Sequence, residues 1–113
     1  MKQTDFELFQ SEFKKWQEKF GLNGWTVYFK YEPIEDHFAE IVTNLDNMVA
    51  TVRLNSELPE KDKPLKDIKR DAKHEAIHLL IARLEGNGRS RFITGSEIYE
   101  SGEELVHKLE GLI

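Results

Sequence analysis

The hydrophobic residues near the start of the chain recur at steps of three and four positions, which is the period of an α-helix. The series consists of five aromatic residues: Phe6, Phe9, Phe13, Trp16 and Phe20. Thr4 and Glu7 have the spacing of an N-terminal capping box, and Gly21 is suited to end the helix. The pattern predicts an amphipathic helix over residues 4–20. Its aromatic face is predicted to pack in the core, and a partner-binding face is the alternative.

From residue 25 to residue 54 the pattern changes to an alternation of apolar and polar positions, which indicates β-strands. The apolar positions of the first segment are Trp25, Val27, Phe29 and Tyr31. A shorter segment covers Phe38 to Thr43, and a third covers Met48 to Leu54. Residues 44–47 have the composition of a turn, so the second and third strands are predicted to form a hairpin. We expect a small, three-stranded, mainly antiparallel sheet.

The strongest helical pattern follows a polar connection that contains Pro59. Asp62 is a candidate N-cap, and Pro64 suits the first turn of a helix. The apolar face then runs through Leu65, Ile68, Ala72, Ala76, Leu79 and Leu80. Gly86-Asn87-Gly88 is expected to end this helix.

The last part of the chain predicts one more helix. Residues 89–100 are polar and fit no regular pattern, but Ser101 can cap a helix with Glu104 as its capping-box partner. The apolar face of that helix consists of Leu105, Val106, Leu109, Leu112 and Ile113. The predicted fold is therefore α+β, with an N-terminal helix, a small sheet and two further helices. The 113 residues suit a single domain, residues 1–113.

Composition excludes several classes of function. The net charge of −5 argues against a nucleic-acid partner, which usually requires a clustered basic surface. The chain contains no apolar run that could span a bilayer, and its N-terminus lacks the features of a secretory signal. We therefore expect an intracellular, cytoplasmic protein without a membrane partner, and the oligomeric state stays open. Because the chain has no cysteine, any zinc ion must be held by histidines and carboxylates.

The segment from His74 to His78 carries the candidate chemistry. It reads His-Glu-Ala-Ile-His and matches the H-E-x-x-H zinc motif. In a helix, residues four positions apart lie on the same face, so two imidazoles can bind one ion. Glu75 lies one position further round, where its carboxylate can take a proton from a water activated by the metal. The motif falls within the most apolar predicted helix, which favours a metal site over two incidental histidines.

A catalytic zinc site usually has three protein ligands, so one more is needed. The candidates after the motif are Glu97, Glu100, Glu103, Glu104 and His107. Glu103 is the first choice because helical geometry places it at the border of the apolar face. Glu104 lies nearer the opposite side and has a separate role as the capping partner. Glu104, Glu97 and Glu100 remain alternatives, and Glu103 could also simply complement the positive end of the helix dipole.

Four other polar residues have alternative roles. Asp71, one turn before His74, could accept a hydrogen bond from an imidazole or could face solvent. His37 and His107 fit polar surface residues better than metal ligands. Tyr99 or His107 could stabilise the oxyanion of a tetrahedral intermediate.

The chain resembles the small gluzincin-type metallopeptidases that carry an H-E-x-x-H motif, in particular the short ones encoded by phages and prophages. The matching stretches span most of the chain from residue 25 onward. They are Trp25-Thr26-Val27, Ala50-Thr51-Val52-Arg53-Leu54, His74-Glu75-Ala76-Ile77-His78-Leu79-Leu80 and Glu103-Glu104-Leu105-Val106-His107-Lys108-Leu109-Glu110.

This resemblance implies a minimal zincin-like fold in which His74, His78 and Glu103 bind Zn²⁺ and Glu75 is the general base. It also implies that the strand from Met48 to Leu54 lies at the sheet edge beside the cleft, where an extended peptide can add a strand. The chain departs from larger zincins because it lacks a second subdomain to wall the cleft.

The sequence therefore favours an enzyme, a zinc metallopeptidase that acts on a peptide or protein substrate. The alternative is a zinc-binding regulatory or interaction module of the same fold without catalytic turnover. A third hypothesis is an α+β domain that binds no metal.

Overall fold

The computed structural model describes residues 3–89 and 94–112. Its helices are α1 (Asp5–Lys19), α2 (Ile68–Leu80), α3 (Ala82–Arg89) and α4 (Gly95–Leu112). Its strands are β1 (Thr26–Glu32), β2 (Ala39–Asn44) and β3 (Val49–Asn55), and a short 3₁₀ turn covers Lys63–Leu65. The predicted α+β architecture is confirmed. None of the described helices is long and apolar enough to cross a membrane.

Helix α1 forms as the aromatic pattern predicts. The Thr4 side chain accepts a hydrogen bond from the Glu7 amide at 3.1 Å, and the Glu7 side chain accepts one from the Thr4 amide at 3.2 Å. This capping box satisfies two backbone donors that have no partner within the helix. Phe9 and Phe13 are fully buried, so the aromatic face packs in the core. The chain leaves the helix at Gly21, whose φ of 70° a residue with a side chain rarely adopts.

The sheet has the strand order β1-β3-β2. Strands β2 and β3 pair antiparallel, which confirms the predicted hairpin, and β1 pairs with β3 in parallel. The expectation that the third strand lies at the sheet edge beside the cleft is wrong, because β3 is central. Ala50, Val52 and Leu54 are buried, and flanking strands satisfy the backbone of β3 on both sides. The edge strand beside the motif helix is β2.

Helix α2 carries the H-E-x-x-H motif and starts later than predicted. Its N-cap is Asp67, whose side chain accepts a hydrogen bond from the Arg70 amide, whereas Asp62 precedes the short 3₁₀ turn. Extended backbone at Lys66 separates that turn from the helix. One apolar face of α2 joins the main core with α1 and the sheet, through Ala72, Ala76 and Leu79.

A second, smaller core joins α2 to α4. It contains Ile77 and Val106, both fully buried, together with Ile81. Because Ile77 lies between the two motif histidines in sequence, this packing brings the histidine-bearing face of α2 towards α4. The core therefore sets the distance between the motif and the terminal helix.

The helix boundaries after the motif differ from the predicted ones. Gly86-Asn87-Gly88 does not end a helix, because it lies within α3. Helix α4 starts at Gly95, so Ser101 lies inside the helix and the predicted capping role is wrong. Its first turns are exposed at Ser96, Tyr99 and Glu100, which explains why no apolar repeat marks them in the sequence.

Candidate metal centre

The packing of α2 against α4 brings together the three residues that the sequence proposed as ligands. Nε2 of His78 lies 2.6 Å from Oε1 of Glu103, and Nε2 of His74 lies 3.8 Å from Oε2 of the same carboxylate. The ring centroids of the two histidines are 5.0 Å apart. One ligand atom from each of the three residues lies within 4.8 Å of the others. This set of two nitrogens and one oxygen is suited to a divalent metal.

Of the other carboxylates proposed as third ligand, the structure describes only the side chain of Glu100. Glu100 is exposed and belongs to neither of the described groups that could hold a metal. The side chains of Glu97 and Glu104 lie outside the described residues. The second such group consists of His74, His107 and Glu110, and it therefore shares one histidine with the first.

Glu110 is the residue of the site that the sequence analysis did not single out. Its Oε2 lies 2.8 Å from Nδ1 of His74, and its Oε1 lies 3.1 Å from Nδ1 of His107 and 3.6 Å from Nη2 of Arg70. The Glu110 side chain is only 7% exposed. Burial raises the pKa of Glu110, but the hydrogen bonds with His74 and His107 outweigh that effect and lower its pKa below the ordinary value.

This contact determines which nitrogen of His74 can bind a metal. A carboxylate beside Nδ1 favours the tautomer that carries its proton there, so the lone pair of Nε2 faces Glu103. The sequence contains a signal for the arrangement, since Glu103, His107 and Glu110 are spaced four and three positions apart and share one face of α4. Asp71 has no hydrogen bond with His74, and Glu110 occupies the orienting position instead.

His78 has a carboxylate beside its Nδ1 as well. Oε1 of Glu85, from α3, lies 3.6 Å from that nitrogen. The Glu85 carboxylate also lies close to Gly102 on α4, where an added Cβ would stand 2.7 Å from Oε2. The absence of a side chain at Gly102 therefore leaves the space that Glu85 fills.

Glu75 lies beside these groups, with its carboxylate at the wall of a cleft. It is 6% exposed and has no hydrogen-bond or ion-pair partner among the described residues. Burial, followed by the charges of Glu103, Asp71 and Glu110, raises the pKa of Glu75 to about 8. A cation held between His74 and Glu103 would oppose this shift, because a nearby positive charge favours the ionised carboxylate. The unpartnered carboxylate therefore fits a metal at this position.

The cleft has a volume of about 560 Å³ and lies between the edge strand and the helices. Strand β2 and its flanking turns form one wall, with His37, Ala39, Glu40, Ile41, Thr43, Leu45 and Asp46. The other wall comprises His74, Glu75, His78, Ala82, Glu85, Gly86, Tyr99 and Glu103. Tyr99 thus faces the cleft, as the sequence analysis allowed, whereas His107 does not line it. Nε2 of His107 lies 3.5 Å from Oε2 of Glu103.

The free edge of β2 borders this cleft. The Asn55 amide donates to the Phe38 carbonyl at 2.9 Å, so in an antiparallel ladder every second residue from Phe38 pairs with β3. The residues between them, Ala39, Ile41 and Thr43, direct their backbone amides and carbonyls away from β3. All three line the cleft, and no described strand pairs with β2 on that side.

No protein-family model matches this chain, and no curated protein matches its sequence. Among solved structures, the fold is similar to the crystal structure of the metallopeptidase zymogen of Methanocaldococcus jannaschii jannalysin. The two sequences are 17% identical, the TM-score is 0.43, and the alignment covers 89% of this chain and 96% of that one.

Proposed function

We propose that this protein is a zinc-dependent metallopeptidase, in which His74, His78 and Glu103 bind the metal and Glu75 is the general base. The observation that carries the proposal is the convergence of three ligand atoms within 4.8 Å, beside a buried carboxylate without a partner and at the wall of an open cleft. Two histidines and one glutamate with a fourth position left for water are a common ligand set of catalytic zinc. The chemistry that zinc supplies when bound is polarisation of a carbonyl and access to hydroxide near neutral pH.

The residues around the metal position have separate tasks in peptide hydrolysis. Glu75 takes a proton from the attacking water and passes it to the leaving amine as the carbon–nitrogen bond breaks. The free backbone groups of Ala39, Ile41 and Thr43 bind an extended substrate by adding a strand to β2. Tyr99, on the opposite wall, carries a hydroxyl that can donate to the carbonyl oxygen as it gains negative charge.

Metal content tests the ligand assignment. We expect about one zinc per chain in the wild type after loading and dialysis, and a large loss in His78→Ala, as measured by elemental analysis. His37→Ala is the matched control, since His37 lines the same cleft but belongs to neither described metal-binding group. Equal zinc content in all three proteins would refute the assignment.

Turnover tests the general base. Glu75→Gln should retain zinc but lose about 10²- to 10⁴-fold in the rate of peptide cleavage, because proton transfer by a positioned side chain contributes that much. Glu100→Gln, a substitution of an exposed residue on α4, is the control and should leave the rate unchanged. Undiminished cleavage by Glu75→Gln would show that another group transfers the proton.

The alternative function is a zinc-binding module without turnover. It is supported by the second group of His74, His107 and Glu110, which supplies further donors beside the first. A wild-type protein that binds zinc tightly but cleaves no member of a random peptide library would favour this alternative.

A further inference from the structure

The charge of the cleft walls bears on the substrate, provided that the proposed peptidase function holds. Five carboxylates line the cleft: Glu40, Asp46, Glu75, Glu85 and Glu103. No lysine or arginine lines it among the described residues. The chain as a whole carries a net charge of −5, so the surrounding potential has the same sign.

Four of these carboxylates have either a described partner or a role in the proposed chemistry. Glu103 lies between the two motif histidines, and Glu85 lies beside Nδ1 of His78. Glu40 forms an ion pair with Arg53, which reaches it across the sheet. Glu75 is the proposed general base.

Asp46 differs from the other four. It lies in the turn between β2 and β3, is exposed, and has no hydrogen-bond or ion-pair partner among the described residues. Its neighbour Leu45 contacts Gly86 of α3, so Asp46 stands at the end of the cleft where the two walls meet. Glu85 belongs to the wall at that same end, one residue before Gly86.

Two independent features fit the binding of a ligand in this cleft. Glu75 is nine-tenths buried, faces the cleft and lacks a described partner. The backbone groups of β2 that face the cleft have no described strand to pair with. An extended peptide satisfies the backbone groups, and its side chains then meet a wall of negative charge.

We propose that the cleft selects peptides that carry lysine or arginine, and that Asp46 is the residue that determines this specificity. A cationic side chain placed beside Asp46 gains a charge-assisted contact near a second carboxylate, Glu85. An acidic side chain at the same place meets repulsion from both. Long-range attraction by the negative cleft also speeds the encounter with basic peptides, and this effect weakens as salt is added.

Binding to zinc-loaded Glu75→Gln protein tests the proposal without requiring turnover. Two fluorescein-labelled peptides of equal length are compared by anisotropy at low salt, one with lysines and one with glutamates at the same positions. We expect the lysine peptide to bind more tightly. Asp46→Asn should weaken its binding about two- to fivefold, and Asp46→Lys should weaken it further.

Glu18→Gln is the control, because it removes the same charge from an exposed position on α1 outside the cleft. Equal binding of the two peptides, no binding of either, or the same loss in Glu18→Gln as in Asp46→Asn would overturn the proposal. Selective binding without cleavage by the active protein would instead refute the peptidase function and leave the charge selection standing. Cleavage of both peptides at equal efficiency would refute the charge selection and leave the peptidase function standing.

Discussion

Oε2 of Glu110 lies 2.8 Å from Nδ1 of His74, on the side of the ring that faces away from Glu103. His78 has an equivalent neighbour, since Glu85 approaches its Nδ1 to 3.6 Å. Each histidine of the motif is thus flanked by a carboxylate from a different helix, and both Nε2 atoms face Glu103. The orientation of the two histidine rings therefore depends on α3 and α4 as much as on the motif itself.

The first prediction concerns Glu110. Replacing it with glutamine keeps the volume of the buried side chain but removes the charge that holds the proton on Nδ1 of His74. We expect zinc affinity to fall about 10- to 100-fold, the usual effect of removing a group that orients a ligand histidine. Competition with a chromophoric chelator measures this dissociation constant.

Glu100→Gln is the appropriate comparison for Glu110→Gln, because it changes an exposed glutamate on the same helix. Its zinc affinity should equal that of the wild type. If Glu110→Gln also bound zinc with wild-type affinity, Glu110 would not orient His74.

The second prediction concerns Gly102, which leaves room for Glu85. A Cβ at this position would lie 2.7 Å from Oε2 of Glu85, and the flexible carboxylate would have to move away from His78. Alanine is favoured over glycine in a helix by about 1 kcal/mol, so Gly102→Ala should not lower the free energy of unfolding much. It should nevertheless weaken zinc binding several-fold.

Gly111→Ala provides the control on the same helix, because an added Cβ there meets no atom within 4 Å. It should leave zinc affinity unchanged. Calorimetric titration with zinc measures the affinity of both variants. Equal zinc affinities of Gly102→Ala and Gly111→Ala would show that the position of the Glu85 carboxylate beside His78 does not affect zinc binding.

Local patterns were sufficient to predict the elements that carry the site. The capping box of Thr4 and Glu7 and the aromatic face of α1 depend on residues within one helix, and both are confirmed. The spacing of His74 and His78 likewise fixes their shared face once the segment is helical. Glu103 was preferred to Glu104 as third ligand because helical geometry places it at the border of the apolar face, and its carboxylate lies near both histidines.

Relationships between elements were harder to predict. An alternation of apolar residues shows which face of a strand is buried but not which strand lies in the middle, so the central place of β3 was missed. The contact of Glu110 with His74 depends on the packing of Ile77 against Val106, which no local pattern encodes. The proximity of Gly86 to a distant side chain, that of Leu45, is likewise encoded by no local pattern.

The third prediction concerns pH and Asp71, which has a buried Oδ2 without a described hydrogen-bond partner. Burial, followed by the charge of Asp67, raises the pKa of Asp71 from 3.8 to about 6. At a pH between these two pKa values, Asp71 has lost its proton in the unfolded chain but retains it in the folded protein. The free energy of unfolding of the metal-free protein should therefore fall as pH rises from about 4 to about 6, with no further loss from this group above that range.

Asp71→Asn removes this dependence. The free energy of unfolding of Asp71→Asn minus that of the wild type should be about 1 to 2 kcal/mol larger at pH 7 than at pH 4. This difference is smaller than the full pKa shift would give, because Asp71 is partly exposed. Urea denaturation with a chelator present measures the difference. Asp36→Asn, at an exposed loop position whose φ of 62° asparagine tolerates, should show no such change. A constant offset for Asp71→Asn at both pH values would contradict the raised pKa.

The fourth prediction concerns the contact between Leu45 and Gly86, which joins the β2–β3 turn to α3 at the end of the cleft. A Cβ at Gly86 would overlap a terminal methyl group of Leu45. Because this methyl group ends a flexible, half-buried side chain, Gly86→Ala should lower the free energy of unfolding by at most about 1 kcal/mol, the low end of the cost of overpacking, and the gain in helix propensity opposes this loss. In a Leu45→Ala background the overlap is absent, and the same change should be neutral or stabilising.

The four proteins of this double-mutant cycle, measured by urea denaturation, give the coupling between the two positions directly. We expect a coupling energy of about 0.5 to 1 kcal/mol, at the low end of the range found for residues in contact. Gly95→Ala, where an added Cβ meets no atom within 4 Å, should have the same effect in both backgrounds. If Gly86→Ala also had equal effects in both, Leu45 and Gly86 would not be in contact. The β2–β3 turn and α3 would then not be joined at this end of the cleft.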